Sequence, residues 1–417
     1  MAAVMRLFAF IAIVISVIVS AGLMACTIAA IDGRATADGR PLLWKNRDVG
    51  NPDQKFNYFA PILNGGRLTR GYLGNYYSTD TTRIYMGVND AGFGIVNSDS
   101  YNLDDSLTAG IDDGTLMRLA LEICTKLEEF EGLLDSTSAL GRVDCWNFGV
   151  FDSCGRAAIY ECGNRHWIAY YAGQDSDGIL VRANYSLSGG ARRTGEMRVK
   201  RAEEIFESHS KEELSASFIL ARLPRDLANE YADPYPLPYM GTQPDGAPGY
   251  IWAGSTINNV RTNSAAVIRG VTLGESPRFS TLLAILGTPV LSLAFPLWIG
   301  AANVPIYLNS DTTAPMVQII GGRLPHLYNC DTLRSYLDSR YLLDSEGIGV
   351  YTYTLPLERW GMAQADSYQT GWRMNPPSQI DISLAQWRVA RRLFNCFLIG
   401  TPGEAMNQPI AETDKDF

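Results

Sequence analysis

The chain has 417 residues, 46% of them hydrophobic, and sets 35 Lys and Arg against 44 Asp and Glu for a net charge of −9. That balance, with no basic block, argues against nucleic acid and against an anionic membrane surface as partners. Three scattered histidines (His166, His209, His326) and no C-x-x-C pair exclude the usual zinc patterns and weaken any His-based triad, so no metal or cofactor is expected.

The first twenty-five residues read as an export signal. Arg6 precedes the apolar run Leu7–Val19, which has h-region length, and Ser20–Ala25 supplies small residues before a cut. Cleavage between Ala25 and Cys26 leaves a chain that begins with cysteine. Leu-Met-Ala-Cys fits a lipobox almost as well, with Cys26 lipidated and the protein held at a membrane, and an uncleaved anchor is the third route.

Cys26–Ile31 is short, apolar and β-branched, a buried strand. Asp32-Gly33 and Asp38-Gly39 are turn dipeptides, and Pro41–Arg47 returns to end at Asp48, which brings Lys45, Asn46 and Asp48 back beside the first strand. Arg47 is set aside as facing the other way. A second hairpin turns at Asn89-Asp90-Ala91-Gly92 and ends at Asn97. Thr115–Leu134 has helical periodicity with Cys124 in its core face, and a third hairpin runs from Trp146 to Glu161. Cys154 and Cys162 bracket that hairpin's second strand and could bridge, although six cysteines besides Cys26 allow fifteen pairings.

Ile179–Ala183 is a strand ending at Asn184. Helices are expected over Arg192–Glu207, Glu212–Leu223, Leu333–Leu343 and Ser383–Phe397, with a Pro/Gly-rich loop at Asp233–Gly249. Pro289–Leu308 is apolar but broken by prolines, hence core rather than membrane. No repeat or linker divides the chain, so residues 26–417 are expected to form one domain.

Several stretches taken in order resemble one family. Cys26-Thr27 followed by Leu43-Trp44-Lys45-Asn46-Arg47-Asp48, the hairpin Gly87–Asn97, Val181-Arg182-Ala183-Asn184, and Glu275-Ser276-Pro277-Arg278-Phe279 resemble the motifs of the N-terminal-nucleophile cysteine amidases. These are the linear amide C–N hydrolases: choloylglycine hydrolase, penicillin V acylase and isopenicillin N acyltransferase-like enzymes. The resemblance implies an α+β fold, the four-layer αββα Ntn-hydrolase sandwich. It also implies a catalytic set of Cys26, Asp48, Asn97, Asn184 and Arg278, with Lys45 in a substrate-binding position where relatives usually carry arginine.

The chemistry accounts for these residue types. A thiol with an ordinary pKa of about 8.5 is mostly protonated at neutral pH, and a free α-amine near 7.7–8.0 can take its proton and pass it to a leaving amine. Asp48 could polarise that amine, a cation could hold the thiolate, and Asn side chains could donate to an oxyanion. Taken alone, Asp48, Asn97 and Asn184 are ordinary strand-end turn residues, and Arg278 an ordinary surface arginine. Tyr58, Tyr76, Tyr77, Tyr235, Tyr239 and Trp252 are candidates for an acyl pocket, though most such aromatics are packing residues.

The expectation is therefore an exported amidase that cleaves a linear N-acyl amide through a thioester. An acyltransferase on the same site, or a non-catalytic lipoprotein, is the alternative. The partner is a small molecule; homo-oligomerisation is open, and membrane attachment follows only if Cys26 is lipidated.

Overall fold

The computed structural model describes residues 25–208, 210, 212–228, 249–329 and 336–400. Apart from Ala25, the signal segment lies outside these residues, as do Tyr235, Tyr239, His209 and Cys330.

Seventeen strands occur among the described residues. In chain order they are β1 (Thr27–Ile31), β2 (Leu42–Asp48), β3 (Gln54–Phe59), β4 (Leu63–Asn64), β5 (Arg67–Leu68), β6 (Tyr72–Tyr77), β7 (Met86–Asn89) and β8 (Gly94–Asp99), followed by β9 (Trp146–Phe151), β10 (Ala157–Cys162), β11 (Trp167–Tyr171) and β12 (Ile179–Arg182). The chain continues through β13 (Tyr250–Trp252), β14 (Thr262–Arg269), β15 (Thr281–Leu286), β16 (Phe295–Trp298) and β17 (Tyr336–Asp338). The helices are α1 (Asp113–Ile123), α2 (Leu127–Leu140), α3 (Glu196–Glu207), α4 (Ala216–Arg222), α5 (Pro315–Leu327), α6 (Ser339–Leu342), α7 (Tyr351–Met374) and α8 (Gln379–Ile399).

Two antiparallel sheets dominate. One has six strands in the order β12-β1-β2-β14-β15-β16, the other seven in the order β11-β10-β9-β8-β7-β6-β3. Strand alternation builds the layers. On β1, Ile28 and Ala30 pack between the sheets with Leu43, Val88 and Val96. Ala29 and Ile31 face outward onto α3 and α4 through Val199, Ala202, Ile219 and Leu220. The other sheet buries Ile95, Phe148 and Tyr160 against Leu116, Phe130 and Leu134 of α1 and α2. Helix, sheet, sheet, helix is the four-layer α+β sandwich the sequence led us to expect, and β1, apolar on both faces, is its most enclosed strand.

The long α7 and α8 pack together and against β16 through Trp298, Ala365, Ile382 and Ala385. Only α8 of this pair is predicted from sequence; α7 has a broken apolar stripe and Pro356 in its second turn. The stretch 289–308 is buried core, and no described helix is long and apolar enough to cross a membrane.

Two local expectations need correction. The helix predicted over Thr115–Leu134 is two helices, because the first stops at Cys124. There Asn89 of β7 donates to the carbonyls of Leu121 and Cys124 at 2.9 and 2.8 Å, taking up groups a continuing helix would have used. Cys154 and Cys162 do not bridge. Cys154 lies in the turn before β10 and Cys162 at the strand's far end, so about 17 Å of extended strand stands between them and both are free.

Candidate active site

The site forms where β1 begins and β2 ends. Their register sets Thr27 opposite Asn46 and Ile28 opposite Lys45, so the return strand delivers Lys45, Arg47 and Asp48 to Cys26. A period of two puts positions 45 and 47 on one face of β2 and position 48 on the other. The expectation that Arg47 faces away from Lys45 is therefore wrong: both line the same cavity as Cys26.

That cavity, of about 380 Å³, lies between the sheets and is lined by Cys26, Lys45, Arg47, Asn97, Asp99 and Asp113, with Tyr77, Tyr85, Tyr101 and Trp146 as its aromatic wall. Of the aromatics proposed from sequence, only Tyr77 reaches it among the described residues. Lys45 donates to the Tyr85 carbonyl at 2.9 Å and to Asn97 Oδ1 at 2.5 Å. Asn97 in turn donates from Nδ2 to Asp113 at 2.7 Å. Arg47 stacks on Tyr77 and Tyr85, 4.3 and 3.8 Å from the ring centres, and donates to Gln54. Both cations are thus fixed by neutral partners and rings.

Burial pushes the Cys26 thiol up from its ordinary range, and the nearby Lys45 charge pulls it back. The same burial pulls Lys45 down. Asp99 is pushed up to about 7, first by burial and then by the Asp113 carboxylate, with Lys45 opposing.

At the end of β2, beside the start of β1, stands a different cluster. Asp48 is fully buried. Thr262 donates to its Oδ1 at 2.6 Å, Asn259 donates to its Oδ2, and Arg198 Nη1 lies 3.5 Å from Oδ2. Burial pushes the carboxyl up to about 7, against the pull of Arg198 and these two donors. Thr262 reaches Asp48 because β14 bulges: Thr262 pairs with Asp48 and Ser264 with Arg47, leaving Asn263 as the extra residue.

Arg198, on α3, is the residue sequence reasoning missed. Its Nη1 donates to the carbonyls of Ala25 and Cys26 at 2.5 and 2.9 Å and to Thr27 Oγ1 at 2.8 Å, while Nη2 donates to Asn184 Oδ1 at 2.8 Å. The helix starts at Gly195, whose φ of 82° suits glycine and whose absent Cβ would lie 2.3 Å from the Arg198 guanidinium. A signal was present in the sequence. Positions 198, 202 and 205 share one helical face, and an arginine on a stripe completed by Ala202 and Ile205 is a charge at a core position.

The structure thus brings Cys26, Lys45, Asp48, Asn97 and Asn184 together. Arg278 is the exception. It is exposed in the short turn Pro277–Phe279, beyond the Arg269 end of β14, whereas Asp48 meets the Thr262 end about 24 Å away at strand rise. Its motif is structural here, since Glu275 pairs with Arg40 and Arg373 at 2.9 and 2.7 Å. Arg198 occupies the place beside Asp48 that Arg278 was expected to fill. Asn184 is fully buried and spends its amide within the protein, accepting from Arg198 and donating to the Asp99 carbonyl at 3.2 Å.

Residues 35–236 match the family described as acyl-coenzyme A:6-aminopenicillanic acid acyl-transferase. The match contains Lys45, Asp48, Asn97, Asn184 and Arg198, and it begins after Cys26. No curated protein sequence matches the chain. Among solved structures, penicillin V acylase from Agrobacterium tumefaciens is similar at 14% identity and a TM-score of 0.40, over 66% of this chain and 86% of that one. A variant of conjugated bile acid hydrolase from Clostridium perfringens is similar at 12% identity and 0.38, over 66% and 92%. The Caenorhabditis elegans ortholog of N-acylethanolamine-hydrolyzing acid amidase is similar at 12% and 0.39, over 60% and 94%. The matched segment, 202 of the 417 residues, is similar to that acyl-transferase family, in line with the resemblance the sequence motifs carry.

Proposed function

We propose that the protein is an exported cysteine amidase whose mature chain begins at Cys26 and which cleaves a linear N-acyl amide through a thioester. One observation carries the reading: Cys26 lines a cavity with Lys45, and Arg198, which pairs with the buried Asp48, donates to the carbonyls of Ala25 and Cys26.

In this mechanism the α-amine accepts the thiol proton, a transfer the high thiol pKa makes necessary at neutral pH. The sulfur attacks the acyl carbon, and the oxyanion is met by amide donors, of which Asn97 faces the cavity. The C–N bond breaks, the amine leaves with the proton held by the Cys26 nitrogen, and water then releases the acid from the thioester. Asp48 and Arg198 orient the amine, and Lys45 stabilises the thiolate. The acyltransferase in the family description supports a second reading on the same site, in which an amine replaces water.

The test begins with intact mass and N-terminal sequencing of the exported protein. An unmodified Cys26 terminus with amide cleavage that vanishes in Cys26→Ala supports the amidase. A diacylglycerol increment on Cys26 with a blocked amine indicates a surface lipoprotein and overturns it. A rate of acyl release that rises with an added primary amine assigns transfer instead of hydrolysis.

A further inference from the structure

Asn97 and Asn184 belong to different sheets: Asn97 is on β8, and Asn184 follows β12. Asn97 lines the cavity and Asn184 holds Arg198, so their separation sets the cavity against the buried cluster, and neither sheet alone can fix it. Asn147 of β9 joins the two segments. It pairs directly with Ser98, the residue after Asn97, and is fully buried. Its Nδ2 lies 3.2 Å from Ser98 Oγ and 3.3 and 3.2 Å from the carbonyls of Ala183 and Tyr185, the two neighbours of Asn184. Its Oδ1 accepts from Ser186 Oγ at 2.7 Å.

The surrounding bonds close the same gap. Ser98 Oγ donates to the Ala183 carbonyl at 2.6 Å, and Ser100 and Ser186 share a hydroxyl contact at 2.8 Å. The whole cluster is buried, so any donor or acceptor left unpaired there costs its full desolvation. A side chain that only filled space between the sheets could be apolar, as Ile28, Leu43 and Val96 are. An amide that binds three residues bracketing Asn184 and the one after Asn97 instead fixes the distance between them. The cavity does not include Asn147 among its lining residues, so it does not touch a substrate there.

We propose that Asn147 is a positioning residue: it sets Asn97, the amide that lines the cavity, against Asn184, which holds Arg198, across the two sheets. This rests on the amidase reading above. Misplacing a catalytic group by about 1 Å can cost about 10²-fold in rate, so Asn147→Ala should slow the carbonyl chemistry by about 10- to 100-fold.

Two reagents separate positioning from general damage. A p-nitrophenyl acyl ester acylates Cys26 through a tetrahedral oxyanion: the S–C bond forms, the C–O bond breaks, and p-nitrophenol leaves with the thiol proton. Iodoacetamide alkylates the same thiol with loss of iodide and forms no oxyanion. In the full mature protein, Asn147→Ala is expected to slow acylation by about 10- to 100-fold and to leave alkylation within about twofold. Ser186→Ala, which removes one of the Asn147 bonds and the contact to Ser100, should show a smaller effect of the same kind and covers the case in which Asn147→Ala does not fold. Combined with Asn184→Ala, the Asn147 effect should largely disappear, because coupled residues are non-additive.

Equal slowing of both reagents, additive losses in the double variant, or unchanged acylation in both single variants would overturn the positioning role. A wild-type Cys26 that is alkylated but never acylated would remove the amidase reading itself.

Discussion

Cys26 has two sides, built on opposite principles. On the closed side Asp48, Arg198, Asn184 and Thr262 are buried and paired with one another, and a single arginine ties three strands' worth of groups to one point. On the thiol side the cavity sets Asp99, Asp105, Asp113 and Asp144 against only Lys45 and Arg47. The closed side fixes geometry, since moving any member strands a buried charge. The open side fixes a field, which an incoming group can alter.

The sharpest way to break the contrast is at Arg198. Arg198→Ala leaves Asp48 without its cation and Asn184 Oδ1 without its donor, and truncating one partner of a buried pair costs about 3–5 kcal/mol. We expect amide cleavage to fall by about 10²-fold or more and the melting temperature to drop, both read on the same preparation. Activity within a few-fold of wild type would mean that the closed side is scaffolding only.

Lys45→Met tests the open side. The cation lowers the Cys26 pKa, so its loss should move the pH profile of thiol alkylation to higher pH and slow the reaction at pH 7 by about tenfold. An unmoved profile would show that the thiolate is held by something else.

Stability should depend on pH with a definite sign. Asp48 and Asp99 sit near 7 in the folded protein, against about 3.9 in an unfolded chain. The folded state therefore keeps protons between about pH 4 and 7 that the unfolded state has released. That stabilisation is present at low pH and is lost as pH rises through 7. Melting should be higher at pH 5 than at pH 8 by roughly 2–4 °C, with a shallower slope in Asp99→Asn. A melting temperature that climbs from pH 5 to 8 would contradict the burial of these carboxyls. Smallest of all, Arg278→Ala should change cleavage by less than about twofold, as an exposed residue remote from the cluster.

Much of this was readable from the sequence because β-hairpins advertise themselves. Asp-Gly turns and apolar alternation located β1, β2 and the Asn89–Gly92 turn, and the register then placed Lys45 and Asp48 beside Cys26. The four layers followed from hairpins alternating with helix pairs. What escaped lay where long-range contacts decide. Arg198 looked like one charge among many on a surface helix until the fold turned its face inward. Arg278 matched a short pattern that here serves Glu275 and its two arginines. Asn89 ended a helix from a strand 32 residues away in the chain.

The bulge at Asn263 carries a last consequence. Inserting one more residue between Thr262 and Ser264, with the bulge kept, would slide Thr262 from Asp48 to Val49. Every side chain the site uses would survive, yet the acid would lose its hydroxyl donor. Homologous enzymes that differ here by a single insertion or deletion would share all the recognisable letters of the site and still differ in how strongly the carboxyl is held, a divergence that alignment gaps record and residue identities conceal.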